Sequence, residues 1–138
     1  MGRRNGFSFK KAGGESAFLR GPTFDIERRL LGEGVSVIVG IDEAGRGSLA
    51  GPLCLGAVVY DPSFITSVRG ILPGIDDSKK LSPRRRADAL EFIRVRALFC
   101  SSILVSHRTI DRLNINGATE FALRRLIKTM PMTPDIVL

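Results

Sequence analysis

Cysteine is scarce in this chain of 138 residues: there are two, Cys54 and Cys100, each in an apolar stretch. Two scattered thiols are too few for a zinc module of four Cys or His ligands, and both are expected as buried core thiols. Acidic residues also fall short. Asp and Glu number 14 against 21 Lys and Arg, which leaves a formal charge of +7 and a sequence pI of about 10.2. That balance favours polyanionic partners, nucleic acid first. No run approaches the ~18 consecutive apolar residues of a membrane span. The basic start Met1-Gly2-Arg3-Arg4 leads into Asn5, Gly6 and Lys10 rather than into an apolar signal core, so a cytoplasmic protein is expected. Internal repeats and low-complexity tracts are missing as well.

What is present describes one globular domain. Hydrophobic residues make up 43% and charged residues 25%, and a chain of this size buries about two-thirds of its unfolded surface without needing disulfide or metal staples. Residues 1–22 mix Gly, Ser, Lys and Arg with isolated phenylalanines and have no sustained period, which reads as a loose basic arm. From residue 23 to 138 the pattern is ordered. Thr23 is placed to cap a short helix through Leu31, with acids early, bases late, and Gly32 or Gly34 as a stop. Val35 to Ile41 is dense in β-branched residues and predicts a buried strand, and Leu53 to Tyr60 predicts a second. Residues 61–81 carry Pro62, Pro73, Gly70 and Gly74 and read as a long loop, a class that is often functional. Ser82-Pro83 starts a helix with one apolar face, Ala87, Leu90, Ile93 and Ala97. The three cations of its first turn, Arg84, Arg85 and Arg86, oppose the helix dipole and are expected to be solvated. Leu98 to Val105 predicts a third strand, Thr109 to Leu113 one or two helical turns, and Ala118, Ala122, Leu126, Ile127 and Met130 an amphipathic helix. Asp135 to Leu138 has the composition of a strand beginning.

Two acids, Asp42 and Glu43, close an otherwise apolar strand in Gly40-Ile41-Asp42-Glu43-Ala44-Gly45-Arg46-Gly47. Ionised carboxylates are costly in such a place unless paired or bound to metal. Neighbours on a strand point to opposite faces, so both acids serve one site only if the strand ends or bends at Asp42, which the following glycines permit. Hard oxygen ligands select Mg²⁺ or Mn²⁺, and carboxylate-bound divalent ions about 3.5 to 4 Å apart are a standard means of in-line phosphodiester cleavage. The plainer alternative makes Asp42 and Glu43 strand-end acids paired with Arg46. Gly40 and Gly45 have half of a P-loop spacing, but Arg46-Gly47 stands where Lys and Ser/Thr are required, and two carboxylates would repel a triphosphate. Asp76 to Ser82 gathers hydroxyl and ammonium donors ahead of a helix N-terminus, either for phosphate or as a polar loop with a cap. Asn114 and Thr119 sit at a polar helix junction, where capping is the ordinary role.

Taken together, Gly40 to Pro52, Asp77-Ser78-Lys79-Lys80-Leu81-Ser82, Ile110 to Ile115 and Ala118-Thr119 resemble ribonuclease HII, the bacterial type 2 ribonuclease H. The resemblance runs from about Phe24 to Leu138. It implies an α/β, RNase H-like fold, a mixed sheet flanked by helices, with its C-terminal part missing. It also implies hydrolysis of RNA in RNA–DNA hybrids, and of single ribonucleotides embedded in DNA, with Mn²⁺ or Mg²⁺, leaving a 5′-phosphate and a 3′-hydroxyl. By the same resemblance Asp42 and Glu43 match two of four metal-binding catalytic carboxylates. Gly45, Arg46 and Gly47 match the element that reads the ribose 2′-OH, Ser78 and Lys79 a loop on the nucleic-acid backbone, and Asn114 and Thr119 the segment supporting the site. Ser48 departs from the family's usual proline, a change that removes a fixed φ. In the family the segment matching Pro134 to Leu138 runs at once into the third carboxylate, with the fourth and a stacking aromatic further on; Asp135 precedes the strand at the end away from the site. The expectation is therefore a poor enzyme by itself, or a fragment that binds hybrids without turnover. A complete protein is expected to be a monomer, whereas the uncovered edge of a shortened sheet would favour self-association.

Overall fold

The computed structural model describes residues 21–47 and 50–138. The greater part of the expected arm, residues 1–20, therefore lies outside the described residues. Pro22, assigned to that arm from composition, belongs with the domain, because its carbonyl accepts from the Leu72 N–H (2.9 Å).

Among the described residues four helices and four strands follow one another as α1 (Asp25–Gly32), β1 (Ile38–Ala44), β2 (Leu53–Tyr60), α2 (Pro62–Ser67), α3 (Pro83–Arg96), β3 (Ala97–Val105), α4 (His107–Lys128) and β4 (Ile136–Val137). The sheet order is β3-β2-β1-β4. β1 pairs antiparallel with β2, and β2 with β3. β4 lies parallel to β1. A parallel neighbour needs a crossover, and α4 supplies it by carrying the chain from β3 across the sheet.

The period of two along the strands sorts the side chains. Val39 pairs with Val59, Ile41 with Ala57 and Glu43 with Leu55, so these six share one face. That face packs on α4. Val39, Leu53, Leu55, Ala57, Val59 and Val105 meet Ala118, Ala122 and Leu126, which recur at helical spacing, in one buried cluster. Each fully buried leucine contributes about 1.5–3 kcal/mol there. On the opposite face Phe24, Ile65 and Leu72 form a second cluster with Tyr60, Phe64 and Phe92 against it. Phe24 meets Tyr60 edge-on with ring centroids 5.3 Å apart.

Several expectations need correction. β1 is displaced by three residues from the predicted span, because Val35 to Val37 lie ahead of the ladder while Asp42 to Ala44 pair with Gly56, Leu55 and Cys54. The segment read as one long loop contains α2, whose Asp61 caps the helix by accepting from the Ser63 N–H (2.7 Å). Thr23 is not the cap of α1. Phe24 occupies that position without a side-chain cap, and Thr23 is engaged with the N–H and carboxylate of Asp25. Cys54 and Cys100 are half-exposed rather than buried. Both lie on the face away from α4, paired with Leu104 and Val58, and helices cover only part of that face; Leu104 is 68% exposed. Ser82 does cap α3, accepting from the Arg85 N–H (3.3 Å), with Pro83 at the first helical position.

Candidate active site

The C-terminal end of β1 emerges from the core. Ile38 and Val39 are buried, Ile41 and Glu43 half-buried, and Asp42 and Ala44 exposed. The bend expected at Asp42 comes three residues later, at Gly45, whose φ is +89°. A Cβ there would collide with the Pro52 carbonyl oxygen, so the close return of the chain toward β2 requires glycine. Because the ladder persists to Ala44, Asp42 and Glu43 alternate across the sheet, Glu43 on the α4 face and Asp42 on the other.

The two acids have different partners. The Asp42 carboxylate accepts from the Glu43 N–H (2.8 Å). Glu43 accepts from Arg46 Nη1 (3.0 Å), while Arg46 Nη2 donates to the side-chain oxygen of Asn116 (2.8 Å). The pairing with Arg46 thus holds for Glu43 alone. Beside this turn a cavity of about 220 Å³ is lined by Gly45, Arg46, Gly51, His107, Ile110 and Asp111, among others.

Asn114 and Thr119 lie in α4, which is broken at Asn114 (φ +56°, ψ 175°). The Asn114 side-chain oxygen Oδ1 accepts from the N–H groups of Asn116 (3.0 Å) and Gly117 (3.1 Å), so it caps the second helical segment. The Thr119 hydroxyl donates to the Ile115 carbonyl (2.9 Å). Ser78 and Lys79 stand elsewhere, on an exposed turn before α3 in which the Lys79 N–H donates to Asp77 (3.0 Å). α3 packs on β3, two strands from β1, and no hydrogen bond among the described residues links Ser78 or Lys79 to Asp42 or Glu43. Arg84, Arg85 and Arg86 are exposed, as expected, and Arg86 has a further role. Its guanidinium donates to the carbonyls of Ser78 (3.2 Å) and Leu81 (2.7 Å) and fastens this turn to the helix. The sequence assigns Asn116 no role of its own and Arg86 only a solvated one, because only the fold brings them to their partners.

Asp135 takes no part in this end of the sheet. Its carboxylate accepts from the N–H groups of Ser36 (3.0 Å) and Val37 (2.9 Å) at the other end of β1, and these two bonds hold its pKa below the usual carboxylate value. From there β4 runs toward Asp42 and reaches Ile41, whose N–H donates to the Leu138 carbonyl (3.0 Å).

The donor set fits a hard divalent cation in kind. Carboxylate oxygens suit Mg²⁺ and Mn²⁺, and Mg²⁺ is often held by one or two carboxylates together with water and substrate phosphate. In number it is short, because among the described residues no three His, Cys, Asp or Glu side chains converge. None of the described helices is long and apolar enough to cross a membrane.

A three-stranded antiparallel sheet with a fourth strand parallel to the first, and acids at the open end of that first strand, defines an RNase H-like α/β protein. The comparisons agree. The chain superposes on ribonuclease H2 from Pyrococcus horikoshii with a TM-score of 0.57 and 27% identity, over 73% of this chain and 48% of that one. It also shares the fold of Bst-RNase HIII in complex with Mn²⁺ (TM-score 0.52, 20% identity, 75% of this chain and 36% of that one). A family model for ribonuclease HII matches residues 39–138, and ribonuclease HII of Caldicellulosiruptor saccharolyticus is 43% identical over 115 residues, covering 83% of this chain and 53% of that protein. The chain belongs to the ribonuclease HII family. It spans about half the length of the curated relatives it matches.

Proposed function

We propose that this chain is the N-terminal portion of a divalent-metal-dependent endoribonuclease that hydrolyses RNA in RNA–DNA hybrids and single ribonucleotides embedded in DNA, leaving a 5′-phosphate and a 3′-hydroxyl. The observation that carries the proposal is the juxtaposition of Asp42 and Glu43 with the Gly45-Arg46-Gly47 turn at the one end of β1 that leaves the core. The family match over residues 39–138 supports assigning Asp42 and Glu43 as the metal-binding catalytic carboxylates, although they leave the sheet on opposite faces. When bound, Mn²⁺ or Mg²⁺ supplies polarisation of the scissile phosphate and an activated water. The turn offers backbone N–H groups, with little side-chain bulk in the way, to the ribose 2′-OH that separates RNA from DNA. Ser78 and Lys79 bind phosphate further along the duplex, and Asn114 and Thr119 hold the helix junction behind the turn.

The register of β4 supports this assignment. Ile136 pairs with Ile38 and Val137 with Val39, so a strand prolonged in that register would bring the second residue beyond Leu138 beside Asp42. This is the place where the family resemblance expects a third acid. The shortage of ligands among the described residues favours a second reading, a fragment that binds hybrids without turnover.

One experiment separates the two. The 138-residue chain and Asp42→Asn are incubated with end-labelled duplex DNA containing one ribonucleotide, with Mn²⁺ and with EDTA. Cleavage 5′ to the ribonucleotide that requires Mn²⁺ and is lost in the variant supports the enzyme. Binding without cleavage supports the fragment reading, and neither binding nor cleavage overturns both.

A further inference from the structure

The turn assigned to ribose recognition has almost no side chains with which to hold itself. Gly45 and Gly47 offer none, and a backbone at φ +89° beside a sheet end is the kind of segment that samples several conformations. Arg46 is the exception. Its bond to Glu43 is local, three residues back at the end of β1, and joins the turn to no element other than the strand it leaves. Its bond to Asn116 crosses 70 residues and ties the turn to α4, and it is the turn's one side-chain hydrogen bond to an element other than β1 among the described residues.

The position of Asn116 is itself constructed. The left-handed Asn114 interrupts α4 and, by capping the N–H groups of Asn116 and Gly117, starts a new helical segment there. The buried Ala118 and Ala122 then anchor that segment on the sheet. An amide oxygen suits the task, because it accepts from the guanidinium without neutralising it, whereas a carboxylate would add a negative charge close to Glu43.

From these contacts we infer that Asn116 is a positioning residue: through Arg46 it sets the Gly45-Arg46-Gly47 turn on the rigid α4 scaffold, and it thereby determines how well the protein distinguishes ribose from deoxyribose. The inference rests on the assignment of that turn to ribose recognition. It adds that the discrimination is governed from a residue that never touches the substrate.

The test compares the 138-residue chain with Asn116→Leu, which removes the acceptor, and Asn116→Asp, which keeps one. Affinity is measured without added metal for a DNA duplex carrying a single ribonucleotide and for the same duplex in DNA alone. Loss of one tethering hydrogen bond should lower the preference for the ribonucleotide about five- to tenfold in Asn116→Leu. Binding of Asn116→Leu to the all-DNA duplex, which depends on phosphate contacts, should stay unchanged, and Asn116→Asp, which keeps an acceptor but adds a charge close to Glu43, should restore part of the preference. An unaltered preference in Asn116→Leu, or an equal loss on both duplexes, would overturn the inference. Should the parent chain itself show no preference, the ribose assignment fails, and amide hydrogen exchange then decides the tether separately. Faster exchange at Arg46 and Gly47 in Asn116→Leu supports the tether, and unchanged rates refute it.

Discussion

The two ends of β1 are built for different purposes. At its start Ile38 and Val39 are 5% and 0% exposed, flanked by β2 on one side and β4 on the other, and the preceding N–H groups are held by Asp135. At its finish Asp42 to Ala44 pair with β2, stand largely in solvent, and pass into a turn with a left-handed glycine. The first end supplies stability. The second spends some of it by lifting two carboxylates and a strained turn out of the core, which a nucleic-acid phosphate needs if it is to reach them. A single strand thus joins a rigid base to an accessible tip, and substitutions along it should divide accordingly.

The largest effect on folding is expected from Ile38→Ala, a loss of about 2–5 kcal/mol from a buried site in chemical denaturation; a loss below 1 kcal/mol would mean that the start of β1 is not the base described. Gly45→Ala comes next. Its Cβ would meet the Pro52 carbonyl, so either stability falls by about 1–3 kcal/mol or the turn moves, and nucleic-acid binding should weaken in both cases. A smaller, pH-dependent effect belongs to Asp135. Its carboxyl has a lower pKa in the folded chain than the value of 3.8 it has when free. The folded state therefore binds this proton less readily, and the contribution is fully present above about pH 4 and lost as pH falls through the depressed value. Acid titration of stability should show that loss in the parent chain and a flatter profile in Asp135→Asn. The least effect on folding is expected from Asp42→Asn, within about 0.5 kcal/mol for an exposed side chain. The same change should weaken Mn²⁺ binding measured by calorimetry, and this contrast between small structural and large functional cost would sharpen the division most.

How much of this was legible in the sequence follows the same line. β2 is found at the expected Leu53 to Tyr60, and β3 differs by one residue, because each is a short apolar run bounded by glycine, proline or helix signals. The face Ala118, Ala122, Leu126 was likewise visible. β1 was misplaced because apolar density marks where a strand is buried, whereas the ladder at Asp42 and Glu43 is made by backbone groups that side-chain chemistry does not reveal. α2 was missed although its signal, Asp61 before Pro62, was present; the prolines and glycines around it outweighed a single cap. The fold class was legible because the motifs that carry the family resemblance are local in sequence. The links from Arg46 to Asn116 and from Arg86 to Ser78 were not, since each joins residues that become neighbours only when the chain is folded.

The bonds from Asp135 to Ser36 and Val37 connect residues 99 and 98 positions apart, whereas the β1–β2 hairpin closes between Ala44 and Cys54. Closing a longer loop costs more entropy and slows the search. The expected order of assembly follows: the β1–β2 hairpin first, then β3 and α4, with β4 docking last, so that φ-values at Ile136 and Val137 should lie near zero. Until that moment one edge of β1 carries unpaired backbone groups, and the interval before Asp135 finds its two amides is when a neighbouring chain could add a strand there.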